Sequence, residues 1–219
     1  MLSTNYDKTN IPKAIMAGAC IALGGFGFMS LGGLQGAVIF ALGLVVILSL
    51  GFHLFTGRVG AINFTERYND IRVLNLPPIF DLFYRNLFWN IVGVGIIALI
   101  AIFGGFEDIS LKASDLIQKR LELENLEVFL RAVGCGLIMD LIVNSYKKTE
   151  SFVAVLLGVP LFIMCGFLHS IAEPFYIMAA IPCLESDIIL PILLYYLFVV
   201  LGNFLGCRIR RIFIIDWNK

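Results

Sequence analysis

Two interrupted apolar runs constrain this chain more than anything else in it: Gly51-Phe52-His53-Leu54-Phe55-Thr56-Gly57 in the first half and Gly166-Phe167-Leu168-His169-Ser170-Ile171 in the second. Each closes a long apolar stretch with a Gly-Phe pair beside a histidine and a hydroxyl. Each is followed later by an Asn-bearing apolar helix, Trp89-Asn90-Ile91-Val92-Gly93 or Gly202-Asn203-Phe204-Leu205-Gly206. A backbone broken at membrane depth has polar groups that lipid cannot satisfy, so it persists where it lines a protein-enclosed cavity, and transporters place their sites there. Matching breaks in the two halves predict an inverted repeat with the site between them.

The membrane itself follows from composition. Hydrophobic residues make up 59% and charged residues 15%, with a mean hydropathy of +0.92, against about 45–50% and about 25% in soluble domains. At ~20 residues per crossing, 219 residues hold about six crossings in one transmembrane domain, all α, without a soluble appendage. A net charge of zero gives no general attraction for nucleic acid. Cys20, Cys135, Cys165, Cys183 and Cys207 are scattered without metal-ligand spacing, so they read as small apolar packing residues, and no metal or other cofactor is expected. The sequence has no phosphate-binding loop for ATP-driven pumping and no catalytic constellation. Lys13 opens one long apolar span with no cleavage site, so no cleavable signal peptide is expected.

The first crossing is expected over about Ile11–Leu31 and the second over about Ala37–Leu54, joined by a turn at Gly32–Gly36 and broken at Thr56-Gly57. A half-helix from Val59 to Phe64 then continues into the polar stretch Glu66–Arg72. Pro77-Pro78 leads into a third crossing, about Phe80–Phe103, because proline fits a turn followed by a first helical residue. Residues 11–104 would form one repeat and 105–127 an amphipathic surface linker, with Leu111, Leu116, Leu121 and Leu126 among charges. The second repeat, 128–210, would hold crossings at about Val128–Tyr146, Phe152–Ser170 and Ile188–Ile209. The middle one breaks around Ala172-Glu173 and restarts at Pro174.

Orientation follows from lysine and arginine. Cytoplasmic termini place Lys8, Lys13, Arg58, Arg67, Arg72, Arg85, Lys147, Lys148, Arg208, Arg210, Arg211 and Lys219 inside, leaving Lys112, Lys119, Arg120 and Arg131 outside, a bias of twelve to four.

These residues resemble the formate/nitrite transporter family. Leu54-Phe55-Thr56-Gly57 is similar to that family's first broken-helix loop, Gly166-Phe167-Leu168-His169-Ser170-Ile171-Ala172 to its second, which holds the central pore histidine, and Leu201-Gly202-Asn203-Phe204-Leu205-Gly206 to the Gly-Asn motif of its last helix. The resemblance implies a six-helix, aquaporin-like channel in the inner (plasma) membrane, a homopentamer with a pore in each protomer, passing small weak-acid anions and protons. It places Phe40, Leu44 and Phe162 at apolar constrictions, Phe55 and Thr56 in the first loop with Thr56 facing His169, and Asn203 behind the site. The chain departs from the pattern at Leu168, where the family has glutamate, at Glu173-Pro174 for Asn-Met, and at Asp140 for a fourth-helix asparagine. The family's vestibule lysine has no clear counterpart: Glu124 falls near its position, and Lys119, Arg120 or Arg131 could substitute.

A bare anion meets a large desolvation cost at an apolar constriction, whereas imidazole titrates near pH 6.5 and can donate or relay a proton there. His169 therefore reads as the pore histidine, oriented by Thr56. His53 reads either as a second titratable pore group or as a packing residue. Glu173 reads as a cap of the second half-helix or as a pore carboxylate that repels anions. Asp140 is a functional candidate by its depth, or a partner of Arg85, or protonated helix glue. Asn90 and Asn203 are expected to bond the broken-loop backbones, and Arg208, Arg210 and Arg211 to act as cytoplasmic anchors. The acids also leave open a cation or neutral-solute path, or a membrane scaffold that transports nothing.

Overall fold

The computed structural model describes residues 8–62, 65–68, 71–74 and 76–214. Asn10 accepts a hydrogen bond from the Lys13 N–H at 3.2 Å and Pro12 occupies the first turn, a side-chain cap and a pre-set φ that together start α1 (Ile11–Leu31). Only Gly32 separates it from α2 (Gly33–Leu50), and Gly32 and Gly33 have φ of 67° and 50°. The expected turn is therefore shorter than Gly32–Gly36, and Gly36 already packs within α2.

Both breaks come earlier than the sequence reading placed them. The second crossing stops at Leu50 and resumes as the short α3 (Phe55–Val59), so the gap is Gly51–Leu54 and Thr56 lies inside the half-helix. The fifth crossing stops as α8 (Val153–Met164) and resumes as α9 (Glu173–Ala180), which puts His169 in the open segment between them. The polar stretch after α3 is not helical: β1 (Thr65–Tyr68) pairs antiparallel with β2 (Ile71–Leu74), Arg67 opposite Arg72. Phe64, the expected end of the half-helix, lies outside the described residues.

The third crossing joins α4 (Leu76–Phe80), a π-helical segment Asp81–Leu87 and α5 (Phe88–Phe103). Next comes α6 (Glu107–Leu121), whose buried face is Ile109, Ala113 and Ile117 at helical spacing, while Leu111 and Leu126 are exposed. The leucines, spaced by fives, do not share one helix face. The second half follows as α7 (Asn125–Thr149), α8, α9, two short 3-10 turns at Ile181–Cys183 and Ser186–Ile188, and α10 (Ile189–Ile214).

Among the described residues, four helical stretches are long and apolar enough to cross a membrane: Ile11–Leu31, Gly33–Leu50, Pro77–Phe103 and Ile189–Phe213. The polar α7 and the broken α8–α9 complete six crossings in two inverted units of three. In one unit α1 lies on α5 and α2; in the other α7 lies on α10 and α8. A methyl group at Gly18 would collide with the Asn90 carbonyl and one at Gly93 with that of Ile15. Gly136 and Gly206 stand in the same relation to Asn203 and Val133. Glycine lets each helix pair touch backbone to backbone, so both asparagines are pressed toward the breaks. Leu23, Leu42, Leu99, Leu157, Leu193 and Leu201 remain exposed on the outside, as a bilayer-facing surface requires.

Candidate transport site

The two breaks are built alike. Gly51 and Gly166 adopt left-handed φ of 62° and 68°, which costs a side chain with a Cβ roughly 1–2 kcal/mol. The next N–H turns back onto the helix just left, Phe52 N to Ile47 O and Phe167 N to Phe162 O, both at 2.9 Å. This helix stop satisfies carbonyls that lipid could not.

An asparagine then bonds each open segment. Asn90 Oδ1 accepts from the Phe55 N–H (2.8 Å), and its Nδ2 donates to the carbonyls of Ala14 (2.7 Å) and His53 (2.9 Å). Asn203 Oδ1 accepts from the Ser170 N–H (2.9 Å), and its Nδ2 donates to the carbonyls of Ala132 (2.9 Å) and Leu168 (2.7 Å). Asn86 adds a bond to His53 O at 2.6 Å; one turn before Asn90 in an apolar helix, it was legible in the sequence as a buried polar residue and passed over. Tyr196 Oη donates to Ser170 O at 2.8 Å, a contact with no sequence signal.

The breaks meet at one polar contact, between Thr56 Oγ1 and His169 Nε2, 3.1 Å apart. Both residues are buried. The Ala172 N–H reaches His169 Nδ1 at 3.2 Å, so Nδ1 accepts, the neutral ring carries its proton on Nε2, and Nε2–H donates to Thr56. Phe162 stacks on the imidazole at 5.8 Å between centroids and meets Phe40 edge-on at 6.0 Å. The buried Ser170 Oγ beside His169 has no hydrogen-bond partner among the described residues.

Leu44 lines a cavity of about 230 Å³ together with Leu54, Gly57, Val143, Tyr146, Arg58 and Lys147. Two basic residues, Arg58 and Lys147, thus line this cavity. Phe55, by contrast, packs edge-on against Phe83 of the π-helical segment at 5.5 Å.

The four remaining candidates have specific partners. His53 is half-buried, and its Nδ1 accepts from the Asn10 N–H (3.1 Å) and faces Arg58 Nη1 (2.6 Å). Asn90, as described, bonds the first break. Asp140 pairs with Arg210 at 2.5 Å and accepts from Asn144 at 2.8 Å, not with Arg85. Arg85 instead approaches Asp81 at 3.5 Å and donates to Thr9 O at 3.2 Å. Glu173 is the first residue of α9. Its buried carboxylate faces Arg120 of α6 at 3.3 Å and accepts from Tyr195 Oη at 2.6 Å. The Glu173 N–H donates to the His169 carbonyl at 3.0 Å, a single turn that leads into α9.

The three bases that could stand in for a vestibule lysine each have an acid partner. Lys119 pairs with Asp115 at 2.7 Å, Arg131 with Glu127 at 2.5 Å and Arg120 with Glu173. Arg131 also stands over the second break, with Nη1 at 3.1 Å from where a Cβ on Gly166 would be. Arg208 and Arg211 do more than anchor the chain, since they donate to backbone carbonyls at the end of α3 and just after it.

Six helical crossings in two inverted units, with broken helices meeting inside the bundle, define an aquaporin-like membrane channel fold. The sequence matches the model of the formate/nitrite transporter family over residues 5–214. The chain belongs to that family. It is similar in structure to an FNT family ion channel, with TM-score 0.76 and 21% identity over 90% of this chain and 84% of that one. It is also similar to a pentameric formate channel with formate bound, with TM-score 0.75 and 22% identity over 94% of each chain. No curated protein matches the sequence.

Proposed function

We propose that the chain is a plasma-membrane channel for small monovalent weak-acid anions such as formate, nitrite, hydrosulfide or a short monocarboxylate, with proton-linked passage at His169. The observation that carries this reading is the buried Thr56–His169 contact at 3.1 Å where the two breaks meet. Because Nε2–H donates to Thr56 Oγ1, the threonine's own hydrogen is left to an anion arriving in the pore. An anion that enters with its own proton passes the Phe40–Phe162 step as the neutral acid, with Thr56 and His169 exchanging that proton and the ring neutral before and after, which avoids the cost of stripping a bare ion of water. The Ser170 hydroxyl offers a second donor beside it.

With both termini cytoplasmic, Arg58 and Lys147 gather anions at the inner cavity that Leu44 closes, and Arg131 does so beside the outer break. A homopentamer with one pore per protomer is part of this reading, and the pentameric formate channel that the fold resembles supports the assembly. A cation path would need unneutralised acids near the pore. Glu173 and Asp140 instead face Arg120 and Arg210, which favours the anion.

The test is stopped-flow flux of formate, nitrite and hydrosulfide, with ammonium as control, into liposomes holding the purified protein, for wild type and His169→Asn across pH. Anion flux that collapses or loses its pH dependence in the variant is expected. Ammonium flux alone, or anion flux indifferent to His169, rejects the reading.

A further inference from the structure

Resting on that channel reading, we propose that Arg208, assisted by Cys207, is the positioning residue for Thr56: it holds α3 by its carbonyl end and so fixes the hydroxyl against His169.

At five residues, α3 is too short to satisfy its own last carbonyls. Arg208 Nη1 donates to Val59 O (3.1 Å) and Ile62 O (2.7 Å), and Arg211 Nη1 to Gly60 O (3.3 Å) and Ile62 O (2.8 Å). Positive charge at the C-terminal end of a helix also complements its dipole. Cys207 Sγ lies 3.4 Å from the carbonyl oxygen of Thr56 itself and 3.2 Å from that of Gly136. Asn203, Cys207 and Arg211 are spaced by four along α10 and share one face. The helix that bonds the His169 segment through Asn203 therefore grips the Thr56 segment one and two turns later.

The clamp is confined to one half of the molecule. Counting from Asn90 as from Asn203, the positions of Cys207, Arg208 and Arg211 correspond to Val94, Gly95 and Ala98, which have no polar side chain. The second half-helix, α9, is held differently, by Arg120 and Tyr195 on Glu173. Inverted packing alone does not call for the arginine; what distinguishes α3 is that it carries Thr56.

The experiment measures formate flux against concentration and pH in liposomes for wild type, Arg208→Ala, Arg208→Lys, Thr56→Ala and the Thr56→Ala/Arg208→Ala double variant. Arg208→Ala is expected to lower maximal flux, by up to about a hundredfold if the hydroxyl shifts by about 1 Å, with half-saturation unchanged and the pH profile moved to that of Thr56→Ala. Lysine, which can still reach one carbonyl, restores most of the rate. The double variant matches Thr56→Ala alone, because there is no hydroxyl left to place. If Arg208→Ala does not insert, Arg208→Leu, which fills more of the space but has no donor, carries the same comparison. Additive losses, or a raised half-saturation at full maximal rate, overturn the proposal in favour of independent packing or anion collection. Normal flux in Thr56→Ala would sink the threonine–histidine reading and the clamp with it, whereas a slow Thr56→Ala beside a normal Arg208→Ala rejects the clamp alone.

Discussion

Asn203 stands to the second break as Asn90 stands to the first: each side-chain oxygen accepts one loop N–H, and each side-chain nitrogen donates to one loop carbonyl and to one carbonyl of the neighbouring helix. These bonds do inside the bundle what water does for a surface loop.

Replacing either asparagine by alanine leaves buried backbone groups unpaired at about 1–3 kcal/mol each. Asn90→Ala and Asn203→Ala are each expected to lower the unfolding temperature in detergent by several degrees, and by similar amounts because the bonds match. Aspartate keeps the acceptor but loses the donor, so it does not rescue. A wild-type melting curve for either alanine variant would refute the shared role.

Glu173 tests a different balance. Removing Arg120 strands a buried carboxylate, and breaking one side of such a pair costs about 3–5 kcal/mol. Arg120→Leu is expected to destabilise strongly, Glu173→Gln much less, and the Arg120→Leu/Glu173→Gln double variant to recover most of the loss. Equal and additive penalties in thermal unfolding would show that the two side chains act separately.

The crossings, the two breaks and the pairing of the asparagines were legible because each leaves a mark along the chain: apolar length, a Gly-Phe pair, an Asn in an apolar helix. Where a helix stops was read several residues late, since the sequence reading gave the stop to Thr56-Gly57 and to Ala172-Glu173. The left-handed turn belongs to Gly51 and Gly166, and Pro174 marks only the restart. The ion pairs were not legible. Asp140 and Arg210 lie on α7 and α10, and Arg120 and Glu173 on α6 and α9, so their pairing is a product of packing between distant segments. The π-helical segment and the β1–β2 pair also left no period to read.

Gly51 and Gly166 share a conformation but not surroundings. A Cβ at Gly51 finds only Lys13 Nζ, at 4.0 Å, whereas one at Gly166 meets Arg131 Nη1 at 3.1 Å. Gly51→Ala is expected to cost the backbone penalty of roughly 1–2 kcal/mol. Gly166→Ala should cost more and move Arg131 as well. Circular dichroism melts of the two variants rank them, and a more damaging Gly51→Ala would contradict the geometry.

Phe162 carries the last prediction because it touches both the imidazole and Phe40. Its ring stacks on His169 at 5.8 Å and completes the aromatic step with Phe40 at 6.0 Å. On the proposed channel reading, alanine there removes an apolar ring from the imidazole and lets water reach it, so an ion need no longer shed its whole hydration shell. Formate flux is expected to rise and to depend less on pH, and a bulkier monocarboxylate to gain more than formate does. Leu44→Ala is expected to raise flux while keeping the pH dependence, because Leu44 lines the cavity with Arg58 and Lys147 while Phe162 is the ring stacked on the imidazole. Comparing the two variants in one liposome assay separates size exclusion from proton handling. An unchanged ratio of large to small acid in Phe162→Ala would place the constriction elsewhere.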